Sequence, residues 1–172
     1  MTTVTGNDGS GVIYGCRDLI DHVGQYKDLK FPAQLTDAPE MVLRGGCVGI
    51  QKMEYLPGRG VYEYPYTPES FPWFYDKEQW IKYLDMLVEN RMNSLYLWNG
   101  HPFASLVKLE EYPFAVEVDE ETFKKNEEMF SFLTAEADKR GIFVIQMFYN
   151  ILLSKPFAEH YGLKTQDRNR PI

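Results

Sequence analysis

Two short clusters of polar and aromatic side chains follow apolar runs in this sequence. The first, at residues 98–101, follows the apolar run that begins at Leu95, and the second, at residues 148–150, follows the run from Ile142 to Met147. An amide side chain both donates and accepts hydrogen bonds, and an aromatic ring offers a flat apolar face. This chemistry holds and orients a ligand that carries adjacent hydroxyl groups. The candidate binding residues at these positions are Trp98, Asn99, His101, Tyr149 and Asn150.

Two predicted helices position these clusters. Asp76, with Gln79 three residues later, forms a capping box that opens the first helix, and Asp119 caps the second. The sequence therefore predicts helix, strand, helix and strand between Asp76 and Asn150. Strands joined by helices pair in parallel, and the carboxyl ends of parallel strands form the edge where ligands bind. The predicted fold class is α/β, with both clusters at this edge.

The region before the first of these helices adds a strand and a long loop. A strand is predicted from Met41 to Ile50, where three glycines indicate a bulge or a close approach of the main chain. The loop from Lys52 to Tyr75 contains eight aromatic residues between Tyr55 and Tyr75. A loop this long is uncommon in a compact domain unless it is functional or disordered, and aromatic residues are rare in disordered segments. We expect the loop either to pack over the end of the sheet or to bind a ligand, with Trp73 as the candidate.

The first forty residues have a different organisation. Apolar residues at helical spacing predict a helix from about Val12 to Val23, with Gly24 as its stop. Residues 25–40 have no sustained period and contain two prolines, so they are predicted to be a connector. We place a domain boundary here. Residues 1–38 are then the end of an accessory α/β domain plus a linker, and residues 39–172 belong to the main domain.

The signatures of several other chemistries are missing from the sequence. It contains neither a glycine-rich phosphate loop nor a nucleophile elbow, and its three histidines are scattered, so we expect no cofactor and no metal. No pair of carboxylates lies at successive strand ends. The net charge of -7 argues against nucleic-acid binding, and no apolar run is long enough to span a membrane. Cys16 and Cys47 are predicted to be buried free thiols.

Several short motifs resemble a known arrangement. Residues 4–8 (Val-Thr-Gly-Asn-Asp) and 11–15 (Gly-Val-Ile-Tyr-Gly) are similar to the end of a non-catalytic domain. That domain precedes the barrel in β-N-acetylhexosaminidases and in α-glucuronidases of bacterial polysaccharide degradation. The linker ends in Ala-Pro-Glu at residues 38–40, and Leu-Arg-Gly at residues 43–45 resembles the start of their first barrel strand. Residues 80–99 are similar to their first helix and second strand.

This resemblance implies a specific architecture and specific site residues. The chain would hold the first three β/α units of a TIM-type (β/α)8 barrel, preceded by the end of a small α/β domain. Arg44, whose planar fork of donors suits paired oxygens, would hold sugar hydroxyls, and Asn99 and His101 would contact the sugar after the second strand. The hexosaminidases carry an Asp-Glu catalytic pair after the fourth strand, so the resemblance implies that the catalytic acids lie beyond Ile172. A full barrel needs about 250 residues, and the chain is therefore interpreted as a fragment.

Three functional hypotheses follow from the sequence. The preferred one is a glycoside hydrolase fragment that binds an oligo- or polysaccharide and is inactive alone, with the rest of the barrel as its partner. A polysaccharide-degrading role would favour a periplasmic or extracellular location. The second hypothesis is a non-catalytic carbohydrate-binding or assembly module of α/β fold. The third is a small α/β enzyme of another class that uses Glu54 or Glu63 with His101.

Overall fold

The structure, a computed structural model, is built around a parallel sheet. The described residues are 2–30, 34–56, 60–99, 102–148 and 153–163. In chain order the elements are α1 (Gly9–Tyr26), β1 (Gly45–Ile50), β2 (Met53–Leu56), β3 (Gly60–Glu63), α2 (Lys77–Glu89), β4 (Ser94–Asn99), α3 (Glu120–Asp138), β5 (Phe143–Phe148) and α4 (Lys155–His160). Strands β1, β4 and β5 pair in parallel in that order, and β2 and β3 form a separate antiparallel pair. Parallel strands that alternate with helices confirm the predicted α/β class.

Helices α2 and α3 cover one face of the sheet, because each carries a single apolar stripe. The core of this layer comprises Ile50, Trp80, Leu84, Leu87, Leu95, Leu97, Met129, Leu133 and Ala137. Both helices begin where the caps predict: Gln79 N donates to Asp76 Oδ1 at 2.9 Å, and Thr122 N donates to Asp119 Oδ1 at 2.7 Å. Burying one Leu of this kind contributes about 2 kcal/mol. This apolar layer holds the strands and fixes the edge at which they end.

The cap at Asp119 gives a prediction on pH. The Thr122 backbone N–H, which donates to the carboxylate, lowers the Asp119 pKa below its usual value. A lowered folded-state pKa contributes stability that is present above the unfolded-state pKa and is lost as the pH falls through the folded value. We expect the free energy of unfolding of Asp119→Asn, which keeps an accepting oxygen at the cap, to fall less than that of the wild type between pH 7 and pH 3. Urea unfolding at both pH values measures this difference, and parallel losses in the two proteins would contradict it.

The structure corrects four predictions for the first 63 residues. Strand β1 begins at Gly45 rather than at Met41, and the predicted long loop contains the β2–β3 hairpin. Gly24 lies inside α1, which ends two residues later, where Lys27 (φ 60°) donates its N–H to the Val23 carbonyl at 2.9 Å. Both cysteines are exposed rather than buried. Of the two explanations for the β1 glycines, a close approach is confirmed, because a Cβ on Gly45 would overlap the main-chain oxygen of Ser94.

Helix α1 lies at the amino-terminal side of the sheet. The Tyr14 hydroxyl donates to the Met92 carbonyl at 3.2 Å, just before β4 begins. Arg91, at φ 56°, pairs with Asp18 of α1 at 2.6 Å and also with Asp37 of the connector. The apolar side of α1 is only partly covered, since Ile20 is 60% exposed. Within the described ranges, no helix is long and apolar enough to cross a bilayer.

Candidate functional site

The sheet has a covered face and an open face, and they carry different residues. Side chains alternate along a strand, and partners in a parallel register share a face. Tyr96 lies between Cys47 and Ile145, and Trp98 lies between Gly49 and Met147. The residues of the open face are Gly45, Cys47, Gly49, Ser94, Tyr96, Trp98, Phe143, Ile145 and Met147. None of its aromatic, aliphatic or sulfur-containing side chains is buried, so this apolar face is left open by the residues that the structure describes.

Trp98 is the predicted site residue that lies on the open face at the carboxyl ends of the strands. Its side chain is 37% exposed, as is that of Met147 beside it. On its other side, a Cβ on Gly49 would meet no atom within 4 Å. The main chain at Gly49 therefore leaves space next to Trp98 on the open face. A flat ring with open space beside it can stack against the apolar face of a ligand ring.

Asn99 points the other way, toward the helices. It lies in register with Ile50 on the covered face, and its side chain is fully buried. Neither atom of its amide has a hydrogen-bond partner among the described residues, which is rare for a buried polar group. The structure thus separates Trp98 from Asn99, although they are neighbours in the sequence. A role for Asn99 in holding sugar stays a prediction.

Arg44 lies at the opposite end of the sheet from Trp98. Its guanidinium donates to the main-chain carbonyls of Arg91 at 2.9 Å, Met41 at 2.6 Å and Val42 at 3.3 Å. A strand rises about 3.3 Å per residue, so roughly 20 Å separates Arg44 from the carboxyl end of β1. Arg44 therefore ties the turns at the amino-terminal edge together, and the structure does not bring it to the predicted binding cluster.

Trp73 lies in the loop before α2 and packs against other aromatic rings. Its ring centroid lies 5.9 Å from that of Trp80 and 6.5 Å from that of Phe74, which is buried. Of the two expectations for the loop aromatics, packing over the end of the sheet accounts for these contacts. The remaining candidates, His101, Tyr149 and Asn150, lie outside the described residues, as does the side chain of Glu54.

A buried amide on α3 connects the loops that follow β1 and β4. Asn126 Nδ2 donates to the Tyr66 carbonyl at 2.9 Å and to the Ser105 carbonyl at 2.8 Å, and its Oδ1 accepts from the Tyr75 hydroxyl at 2.5 Å. The Ser105 hydroxyl oxygen accepts from Tyr66 N at 2.9 Å. We call these four residues the Asn126 network. Its signal in the sequence is a polar residue three positions after Phe123 in an apolar stripe, which the sequence-based predictions above do not include.

The protonation state of the Tyr75 phenol is consistent with its role as a donor in the Asn126 network. Burial, together with the nearby Glu69 carboxylate, raises the Tyr75 pKa well above its usual value. The phenol therefore keeps its proton at ordinary pH and remains a donor to Asn126 Oδ1.

A second aromatic group lies where the segments after β4 and β5 meet. Phe114 stacks on His160 with ring centroids 4.0 Å apart, and Phe157 of α4 lies 5.9 Å from Phe114. Lys155 N donates to Glu117 Oε1 at 2.6 Å, and Glu117 N donates to the Ala104 carbonyl at 2.7 Å. The segment after β5 is thus fastened to the loop after β4.

Acidic groups are not paired at the ends of the strands. The final residues of β1, β4 and β5 are Ile50, Asn99 and Phe148. Across the described part of the chain, no group of three or more His, Cys, Asp or Glu residues is arranged to hold a metal ion. The final residues of these three strands therefore include no carboxylate pair of the kind that splits a glycosidic bond.

Comparison with known proteins identifies a similar solved structure. It is that of a GH138 enzyme targeting pectin rhamnogalacturonan II, with 79% sequence identity and a TM-score of 0.87. The match covers 98% of this chain and 20% of that enzyme's chain, so this chain spans a minor part of the enzyme's length. No family model and no curated protein matches the chain.

Proposed function

We propose that this chain is part of a glycoside hydrolase of the GH138 type that acts on pectin rhamnogalacturonan II. The observation that carries this proposal is the 79% identity, over 98% of the chain, to an enzyme of that description. Identity this high leaves most side chains of the two proteins in common. Because the match covers 20% of the enzyme, the activity is proposed for a longer protein that contains this chain.

We propose that β1, β4 and β5 are three strands of a (β/α)8 barrel. Parallel sheets are normally covered on both faces, and the interior of a barrel is filled by side chains from all its strands. The apolar open face supports this architecture. The outer strands β1 and β5 also support it, because each pairs with a single strand among the described residues and so has an edge at which another barrel strand can pair. We also propose the more specific resemblance to β-N-acetylhexosaminidases and α-glucuronidases, which the sequence motifs support, and the division of the chain at residue 38, which the connector at residues 25–40 supports.

In this proposal the chain contributes binding surface, and other strands contribute the catalytic acids. Glycoside hydrolysis usually needs two carboxylates that flank the bond to be split. None of the parallel strands β1, β4 and β5 ends in an acid, whereas Trp98 presents a partly exposed ring at the edge where barrel enzymes bind their substrates. Trp98 is the residue that we expect to contact a sugar ring directly.

The activity can be tested on the natural full-length protein. We expect it to release reducing sugar ends from pectin rhamnogalacturonan II, and not from an unrelated neutral glucan. Binding without release would favour the alternative of a non-catalytic carbohydrate-binding module. If neither binding nor release were detected, the proposed function would be wrong.

Trp98→Ala should weaken the binding of rhamnogalacturonan oligosaccharides to the full-length protein. Removing a stacking ring from a binding surface typically raises Kd about 10- to 100-fold. Trp98→Phe, which keeps a flat ring, should recover most of the affinity. Isothermal titration calorimetry gives both constants. An unchanged Kd for Trp98→Ala would show that the ring lies outside the binding surface.

A further inference from the structure

We propose that Asn126 is a positioning residue, which holds the loops after β1 and β4 in one fixed arrangement for carbohydrate binding. The inference rests on the proposed function for its ligand, and on the Asn126 network for its mechanism. Asn126 touches neither strand end, because it lies on α3 and its amide is directed at the two loops. Its effect on binding is therefore indirect.

The contacts of Asn126 account for a polar residue at a core position. Its amide has two N–H donors, and each donates to a carbonyl of a different loop. Its oxygen accepts from the phenol of Tyr75. A leucine here would keep the packing but would leave two buried carbonyls and a half-buried hydroxyl without these bonds, which is costly. An apolar residue therefore cannot hold the loops as asparagine does.

The network extends beyond these two loops. Ser105 accepts from the backbone of Tyr66, which closes a ring of bonds between the loops. Ala104 accepts from Glu117, whose carboxylate accepts from the backbone of Lys155 at the start of α4. The segments that follow β1, β4 and β5, which are neighbours in the sheet, are thus joined through hydrogen bonds. Movement of one loop is expected to affect the other two.

A fixed arrangement of this kind favours ligand binding. Ordering a mobile loop during binding costs free energy, and loops that are ordered beforehand avoid that cost. Parallel-sheet enzymes bind their ligands at the carboxyl ends of the strands, where both loops begin. We therefore expect loss of the network to lower affinity without removing any group that touches the sugar.

Native-state hydrogen exchange on the full-length protein tests the positioning role without any ligand. In Asn126→Ala, amides of residues 64–75 and 102–107 should exchange about tenfold faster or more, in excess of any change in the β4 amides. The matched control is Leu133→Ala, which truncates another buried side chain of α3. It should accelerate exchange in the core and the loops together. If the two variants gave the same uniform pattern, the positioning role would be wrong.

Two further measurements distinguish a failure of folding from a loss of loop positioning or of binding. If Asn126→Ala does not fold, Ser105→Ala decides, because it removes the acceptor for Tyr66 N and should accelerate exchange of that amide selectively. A normal exchange rate there would overturn the proposal.

In calorimetry with rhamnogalacturonan oligosaccharides, Asn126→Ala should raise Kd about tenfold relative to Leu133→Ala. Equal Kd values would exclude the effect on binding. If the wild type bound no sugar, the proposed function would fail, and with it the binding role, while exchange would still report whether Asn126 fixes the loops.

Discussion

Gly45→Ala is expected to destabilise the protein by about 3 kcal/mol, although it adds one methyl group. A Cβ at this position would overlap both the main-chain oxygen and the hydroxyl oxygen of Ser94, its partner on β4. The main-chain oxygen cannot rotate away as a side chain can. The first residue pair of the sheet would have to separate, and the neighbouring bonds from Asn93 N and Ser94 N to the Arg44 carbonyl would be strained.

Gly49→Ala is the matched control for this prediction. It makes the same change in the same strand, at a position where the new Cβ would have no atom within 4 Å. Alanine costs less conformational entropy than glycine on folding, so Gly49→Ala should be neutral or slightly stabilising. Urea unfolding of the two variants, compared by midpoint and slope, separates the effects. Equal midpoints would show that β1 and β4 are not closely apposed at Gly45.

Phe74→Ala is expected to cost about 3–5 kcal/mol, the range for removing a fully buried phenylalanine. Phe74 has no exposed surface, although it lies in a short turn between β3 and α2 rather than in a long helix or strand. Its ring centroid is 5.1 Å from that of Tyr75 and 5.3 Å from that of Phe130. Its carbonyl accepts from Trp80 Nε1 at 2.8 Å. The loop after β1 is thus part of the hydrophobic core.

Phe143→Ala serves as the control for Phe74→Ala in the isolated 172-residue chain. It removes the same side chain from a position that is 63% exposed on the open face. We expect it to change the free energy of unfolding by less than about 1 kcal/mol, because little apolar surface returns to water. Thermal and urea unfolding of both variants measure the contrast. Similar losses in the two would mean that the loop aromatics do not carry core packing.

The sequence predicts the elements of residues 76–148 well, because their signals are local. The caps at Asp76 and Asp119 and the apolar spacing define both helices, and the continuous apolar run from Ile142 defines the last strand. The β2–β3 hairpin has no such signal, because its residues lie among glycines and prolines, without a clear alternation. The start of β1 was misplaced because an apolar run does not show where pairing with another strand begins.

The candidate site could be predicted only in outline. The parallel order of the strands predicts that the residues at their carboxyl ends are functional. The face of the sheet that each of these residues occupies depends on the register between strands, which the sequence does not show. Trp98 and Asn99 therefore proved to lie on opposite faces. Arg44 was assigned from a motif, and its position at the amino-terminal edge follows from its bonds to turns distant in sequence. A local pattern can mark Asn126 as a polar residue in an apolar stripe, but it cannot identify Tyr66, 60 positions away, as its partner.

The order of strands in the sheet has a consequence for the synthesis of the protein on the ribosome. Each strand of the series β1, β4 and β5 lies beside the one that precedes it in the parallel sheet. A nascent chain, which emerges from its amino end at a few residues per second or faster, can therefore add each strand to an edge already formed. No strand has to be inserted between two that are already paired. The sheet can grow by one helix and one strand at a time, in step with translation.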